Sequence, residues 1–274
     1  MEAETLIIEA GRGERQYWRD LLRYRELFYF LAWRDVLVRY KQTVIGIAWA
    51  VLRPLLTMIV FTIVFSKLAK LSPEGLPYPV MVFAAMLPWQ LFATALSEGS
   101  NSLIGNANLI SKVYFPRLIV PASATIVSLV DFLISLVLLA LLMIVYGVLP
   151  DWRLVALLPF TVLACAVSVG ASLWLAALNV KYRDFRYVVP FIVQFGLYIS
   201  PVGFSSRVVP NNWRWLYELN PMVGVIDGVR WSLSRGASVL TGQSLVLSVA
   251  VAGLLLTSGV WYFRRTERTF ADVI

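Results

Sequence analysis

Histidine is absent from this 274-residue chain, and cysteine occurs once, at Cys165. Without histidine there is no Ser-His-Asp catalysis and no Cys/His zinc site. A lone cysteine closes no disulfide within the chain. Cys165 stands inside an apolar run, where a free cysteine behaves as a small hydrophobe rather than a nucleophile. The dipeptide Gly-Lys never occurs, so the phosphate-cradling pattern G-x-x-x-x-G-K-[ST] is excluded. If ATP drives this protein, another chain binds it. Charge is scarce too: 15% of residues are Asp, Glu, Lys or Arg, against about 25% in soluble domains. Acids are the scarcer sign, 16 against 24 Lys and Arg, for a formal net charge of +8. No Arg/Gly or Arg/aromatic low-complexity tract accompanies that excess, so it points to anionic lipid headgroups rather than to nucleic acid. Residues 1–15 are polar, with Glu2, Glu4, Glu9 and Glu14, and lack the apolar core of a signal peptide. Membrane insertion is therefore expected to rely on internal segments.

What is abundant is apolar surface. Hydrophobic residues make up 59% of the chain, and the mean hydropathy is +0.74. A soluble core of this size cannot absorb that much, so lipid is the expected solvent. A spanning helix needs about 20 mostly apolar residues. Six stretches qualify: 43–66 with Arg53 near its start, 75–97, 118–150 interrupted by Asp131, 154–180, 187–206 and 236–263. With the N-terminus placed in the cytoplasm, 17 of the 24 Lys and Arg fall on the inner side and 7 on the outer. The positive-inside rule then puts both termini in the cytoplasm. The expected fold is an all-α integral membrane protein of six transmembrane helices. Residues 1–42 form a cytoplasmic N-terminus, and residues 43–274 form the transmembrane domain.

Two segments outside the spans have a pattern of their own. Over residues 17–39, Leu21, Tyr24, Phe28 and Leu31 recur on one side of a helix and Arg15, Arg19, Arg23 and Glu26 on another. That is an amphipathic helix suited either to the headgroup layer, with Trp18, Tyr29 and Trp33 as anchors, or to packing on a partner. The external segment 205–235 holds an apolar stretch, 221–229, too short to span and carrying Asp227. It either dips into the membrane as a re-entrant element covered by protein, or lies flat on the outer surface.

Few residues carry chemistry. Asp131 is the one acid deep in a span; at mid-membrane a carboxylate costs roughly 2.5–3.5 kcal/mol. It is either a proton or cation site or a structural polar contact. Ala164, Ser168, Ser172 and Ala176 repeat at spacing four and read as a helix-packing seam. Phe61, Phe65, Phe191, Phe195 and Tyr198 lie along spans rather than only at their ends. Aromatic faces meet the C–H faces of sugar rings while offering few strong hydrogen bonds, so these five are candidates for lining a path; core packing is the plainer alternative. The loops NSLIGNANLISKVYFP, 101–116, and NVKYRDFRY, 179–187, are topology-setting basic loops or docking surfaces for a cytoplasmic motor.

Four segments together resemble one family: YRELFYFLAWRDVLVRYKQTVIGIAWAVLRPLL (24–56), NLISKVYFPRLIVP (108–121), NVKYRDF (179–185) and NPMVGVIDGVRWSL (220–233). The resemblance, in order along nearly the whole chain, is to the type-2 ABC exporter permeases that move O-antigen, teichoic acid or capsule chains, and among them to the Wzm-like O-antigen permeases. It implies a half-transporter: two copies enclose a channel, and two copies of a separate ABC ATPase bind below. It implies no cofactor on this chain, with ATP and Mg held by the ATPase, and a polyprenyl-pyrophosphate-linked glycan as cargo across the inner membrane. Asn108, Leu109, Lys112, Tyr114, Phe115, Pro116 and Arg117 match the family's coupling helix, and Arg183 and Asp184 its motif between spans four and five. Residues 17–39 match its interfacial helix, and 205–235 its re-entrant outer gate. Arg34, Arg39, Lys41 and Arg53 stand near the expected cytoplasmic interface, where cations hold either a pyrophosphate or ordinary headgroups.

The rivals are an ion-coupled secondary transporter or lipid flippase, and a membrane-embedded lipid-linked glycosyltransferase. The first needs ionisable groups along the spans and commonly repeats, and only Asp131 qualifies. The second needs clustered acids at one face, whereas Glu98 and Asp184 are isolated.

Overall fold

The computed structural model describes residues 14–41, 46–71, 75–182 and 184–270. Among them every regular element is helical. Helix α1 is Glu14–Arg23 and α2 is Arg25–Lys41. Helix α3, Gly46–Phe61, runs on into a π-helical stretch, Thr62–Leu68. Then follow α4 (Tyr78–Gly105), the short α5 (Ala107–Lys112), α6 (Ile119–Val145), α7 (Leu157–Lys181), α8 (Phe185–Ile199), α9 (Asn211–Tyr217), α10 (Pro221–Leu233) and α11 (Gly242–Thr266).

Local chemistry explains several boundaries. Pro77 precedes α4, and Pro221 opens α10 behind Asn220, whose side chain accepts from the Met222 amide. Thr241 caps α11 in the same way through the Ser244 amide. The α8 helix stops at Ser200–Pro201, since the residue before a proline is disfavoured in a helix.

Five helices are long and apolar enough to cross a membrane, and the chain is a multi-pass membrane protein. The expected fifth span, 187–206, overlaps a 15-residue helix, Phe185–Ile199. At 1.5 Å per residue that is about 22 Å, short of the roughly 30 Å of bilayer hydrocarbon. Beyond it the chain folds back as irregular backbone.

Helix α4 is the central pillar, packing against α3, α6, α7, α8 and α10. Its apolar window is 78% buried, against 17–33% in the other four long helices. It is thus shielded by protein while the others keep broad apolar faces outward. The predicted small-residue seam lies on α7, with Ala164, Ser168, Ser172 and Ala176 all fully buried. The Ser172 hydroxyl donates to the Ala95 carbonyl of α4 at 3.0 Å. On another side of α7, Gly170 meets α11, where an added Cβ would lie 2.6 Å from the Leu256 nitrogen. Small residues thus bring two helices against α7 at backbone distance.

The predicted single amphipathic helix over 17–39 is two helices meeting at Tyr24. Its apolar stripe does not await a foreign partner. Leu21, Tyr24, Phe28 and Leu31 join a cluster at the basic end of the bundle with Leu103, Ile110, Phe115, Leu118 and Phe263. Trp18, Tyr29 and Trp33 stay exposed, as interfacial anchors would.

Candidate coupling, entrance and outer-end sites

The basic end carries the expected coupling segment. Helix α5 is a single turn and a half behind Asn106, whose amide nitrogen donates to the Ser102 carbonyl at 2.8 Å. It presents Asn108, Ser111 and Lys112 outward, while Ile110 is buried. The pair that follows is divided. Tyr114 is 50% exposed and Phe115 only 4%. Beyond extended Val113, one ring turns out and the other joins the basic-end cluster. Pro116 is buried, Leu109 half-buried. The Arg117 guanidinium donates to the Glu267 carbonyl just beyond α11. The Tyr17 hydroxyl donates to the Glu267 carboxylate at 3.0 Å, and Arg264 stacks over the Tyr17 ring at 4.4 Å. Burial, and then the neighbouring Glu267 charge, pushes the Tyr17 phenol up, so its hydroxyl keeps its proton for that bond. The α1 helix, the end of α11 and the coupling segment are therefore tied together.

Asp184 is exposed between α7 and α8 and makes no capping hydrogen bond. Arg183 lies outside the described residues. Beside this loop Asn179, fully buried, donates to the Ser100 carbonyl at 3.0 Å and to Asn101 at 3.1 Å. It closes the α4–α7 seam, and an asparagine at the end of an apolar run was its only signal in the sequence.

The four candidate lipid-phosphate cations do not form one cluster of free charges. Arg34 pairs with Asp35 at 2.7 Å and donates to Asn106 at 3.0 Å. Arg39 pairs with Asp131 of α6 at 2.9 Å. Five residues apart, the two arginines point about 140° from each other around α2. Lys41 and Arg53 are exposed on α2 and α3. Asp131 also accepts a hydrogen bond from Tyr40. The structural alternative for Asp131 is thus realised in an ion pair, and its carboxylate is held by α2.

The five candidate path residues divide likewise. Phe61 is buried, and Phe65 half-buried. Their rings, 5.4 Å apart, close over Gly203, where a Cβ would come within 2.5 Å of Phe65. Tyr198 stacks on Phe61 at 6.4 Å. Phe191 and Phe195, 4.2 Å apart, continue the row along α8. Phe191, Phe195 and Tyr198 are 58%, 50% and 61% exposed, one outward face at helical spacing.

At the opposite end α10 is buried throughout, from Met222 to Arg230, and packs against α4, α7 and α11. Two glycines four apart permit this. A Cβ on Gly224 would meet Ser248 Oγ at 2.3 Å, and one on Gly228 would meet the Phe160 ring at 2.1 Å. Arg230, 1% exposed, donates to the carbonyls of Val202 and Phe204, each at 2.8 Å. Tyr78 donates to the Gly203 carbonyl at 2.6 Å, and Asn220 to Ser200 at 3.0 Å. Asp227 accepts from Ser206. Arg230 and Tyr78 thus satisfy three successive backbone carbonyls, of residues 202 to 204, beyond the point where α8 stops. The signal in the sequence was an Asp and an Arg three residues apart in an apolar stretch.

Comparison with known proteins agrees with this arrangement. The family model described as ABC-2 type transporter matches residues 26–234. An O-antigen export system permease protein RfbA of Myxococcus xanthus is 27% identical over 259 residues, 93% of this chain and 98% of its own length. Two proteins of the same name from Klebsiella pneumoniae are 26% and 25% identical, over 88% of this chain and 92% of theirs. With the family match covering well over half its length, this chain belongs to the ABC-2 type transporters.

Proposed function

We propose that the chain is the permease subunit of an ABC exporter that carries a lipid-linked polysaccharide of the O-antigen class outward across the inner membrane. The observation that carries this is the full-length similarity to three proteins named O-antigen export permeases. A long polar glycan cannot enter hydrocarbon unaided, because each unpaired polar group costs kilocalories there. Two copies of the chain enclose a wet path, and the outward Phe191, Phe195 and Tyr198 face of α8 lines it. Phe61 and Phe65 back that face. Both termini and the α5 end are cytoplasmic. There two copies of a separate ATPase hold ATP and Mg and push on Asn108, Lys112 and Tyr114, with Leu109, Phe115, Pro116 and Arg117 as the rigid base behind them. Arg183 and Asp184 extend this contact. The glycan arrives on a polyprenyl-pyrophosphate carrier, whose phosphates meet Arg39 and Lys41 at the end of α2 and Arg53 on α3, with Arg34 further back along α2. Buried α10 is the re-entrant outer gate.

The test is genetic and biochemical. Deleting the gene in its host removes long-chain surface polysaccharide and accumulates the lipid-linked chain inside; the affinity-purified permease brings down an ATPase. Unchanged surface glycan after deletion rejects the proposal. So does export by the permease with no ATPase present, which is the outcome an ion-coupled transporter gives.

A further inference from the structure

We infer that Arg39 has two alternative anionic partners, the Asp131 carboxylate and the pyrophosphate head of the lipid-linked cargo, and that Asp131 competes with the cargo for it. This deepens the exporter proposal and rests on its lipid-phosphate site. Four observations lead to it. First, Asp131 stands 12 residues into α6, about 18 Å along the helix, yet its ion-pair and hydrogen-bond partners Arg39 and Tyr40 both belong to α2. Second, the pair is open: the Arg39 side chain is 37% exposed and that of Asp131 24%. A ligand can reach it, and an ion pair of this exposure holds only weakly. Third, the last turn of α2 adds Lys41, also exposed, and Arg53 is exposed on the α3 helix that follows. Cations therefore outnumber the paired acid along this stretch of chain, and the open pair leaves the Arg39 guanidinium accessible to a second anion. Fourth, the fork of an arginine accepts carboxylate and phosphate in the same bidentate geometry, and the more highly charged pyrophosphate is the stronger partner. Asp131 thereby tempers the affinity of the site. A transported group must bind well enough to enter and weakly enough to leave, and a tethered carboxylate competing for the same guanidinium speeds the departure.

The experiment uses the complete permease–ATPase complex in phosphatidylcholine nanodiscs, with binding followed as undecaprenyl pyrophosphate is added. Phosphatidylglycerol and inorganic pyrophosphate form separate arms. Asp131→Asn is expected to bind undecaprenyl pyrophosphate about two- to fivefold more tightly than wild type, the range that a weak competing ion pair gives. Arg39→Gln binds more weakly, and the double variant matches Arg39→Gln. Tyr40→Phe, which keeps the ion pair and loses only a hydrogen bond, shows a smaller gain and covers the case in which Asp131→Asn fails to fold. A purely structural Asp131 gives equal or weaker binding in both Asp131→Asn and Tyr40→Phe, and that overturns the inference alone. An effect confined to phosphatidylglycerol or to inorganic pyrophosphate assigns the site to another anion and also overturns it. A wild-type complex that binds undecaprenyl pyrophosphate no better than undecaprenol rejects the cargo proposal itself, and this inference with it.

Discussion

The guanidinium of Arg230 donates to the main-chain oxygen of Val202 at 2.8 Å, joining the last turn of a buried helix to the irregular backbone 28 residues earlier. A cation in so apolar a place is explained by what it satisfies. Where α8 ends, successive carbonyls lose their helical partners, and in lipid no water replaces them.

Replacing Arg230 is therefore a test of the outer end. Arg230→Met is expected to cost about 1–3 kcal/mol for each carbonyl left unpaired. Arg230→Lys recovers little, because one ammonium does not reproduce a fork that reaches Val202 and Phe204 together. Thermal unfolding in detergent measures both; a midpoint within a degree of wild type for Arg230→Met contradicts the assignment.

Gly228 gives a second test, of helix approach. Its absent Cβ would lie 2.1 Å from the Phe160 ring. Gly228→Ala should destabilise by about 1–3 kcal/mol through overpacking, and Phe160→Leu in the same chain should recover part of that loss. Gly253→Ala, with nothing within 4 Å, is the matched control and should be near neutral. Equal effects at 228 and 253 would mean that α10 and α7 are not packed as described.

Tyr114 and Phe115 are expected to separate coupling from folding. Tyr114→Ala leaves the midpoint of unfolding in place but lowers export per ATP hydrolysed several-fold, since its ring points outward toward the proposed ATPase. Phe115→Ala, in contrast, removes a core ring and costs about 3–5 kcal/mol. Reconstituted ATPase and export assays, read beside unfolding curves, distinguish them. Normal export by Tyr114→Ala removes this residue from the coupling surface.

The α8 aromatic row carries a prediction about the path. Alanine at Phe191, Phe195 and Tyr198 should reduce export with little loss of stability, because all three are at least half exposed. Phe61→Ala should instead lower stability, since Phe61 is buried between Phe65 and Tyr198. Full export by a folded triple variant would show that the glycan does not slide along this face.

Particular residues show where sequence reasoning reached and where it stopped. The seam at Ala164, Ser168, Ser172 and Ala176 was legible because four-residue spacing in a helix puts small side chains on one side. The short helix around residues 108–112, stopped before Pro116, was legible from local sequence. The opposite fates of Tyr114 and Phe115 were not, because the direction of each ring depends on packing against Leu103 and Phe263 from other parts of the chain. Arg230 was counted among loop charges, since nothing local says that a cation will meet the carbonyls of residues 202 and 204. The length of the helix in the fifth expected span was not legible for a related reason. An apolar stretch of 20 residues in 187–206 contains Pro201, and whether the chain continues or folds back there is decided by the helix waiting to receive it.

Hydropathy is additive along the chain, so the sequence by itself determined that this protein dwells in lipid, where its long helices lie and which end is basic. Pairing is not additive. Only the tertiary structure decided that Asp131 meets α2, that α4 is hidden from lipid and that α10 is buried within the bundle, because each of these depends on two surfaces far apart in sequence fitting against one another.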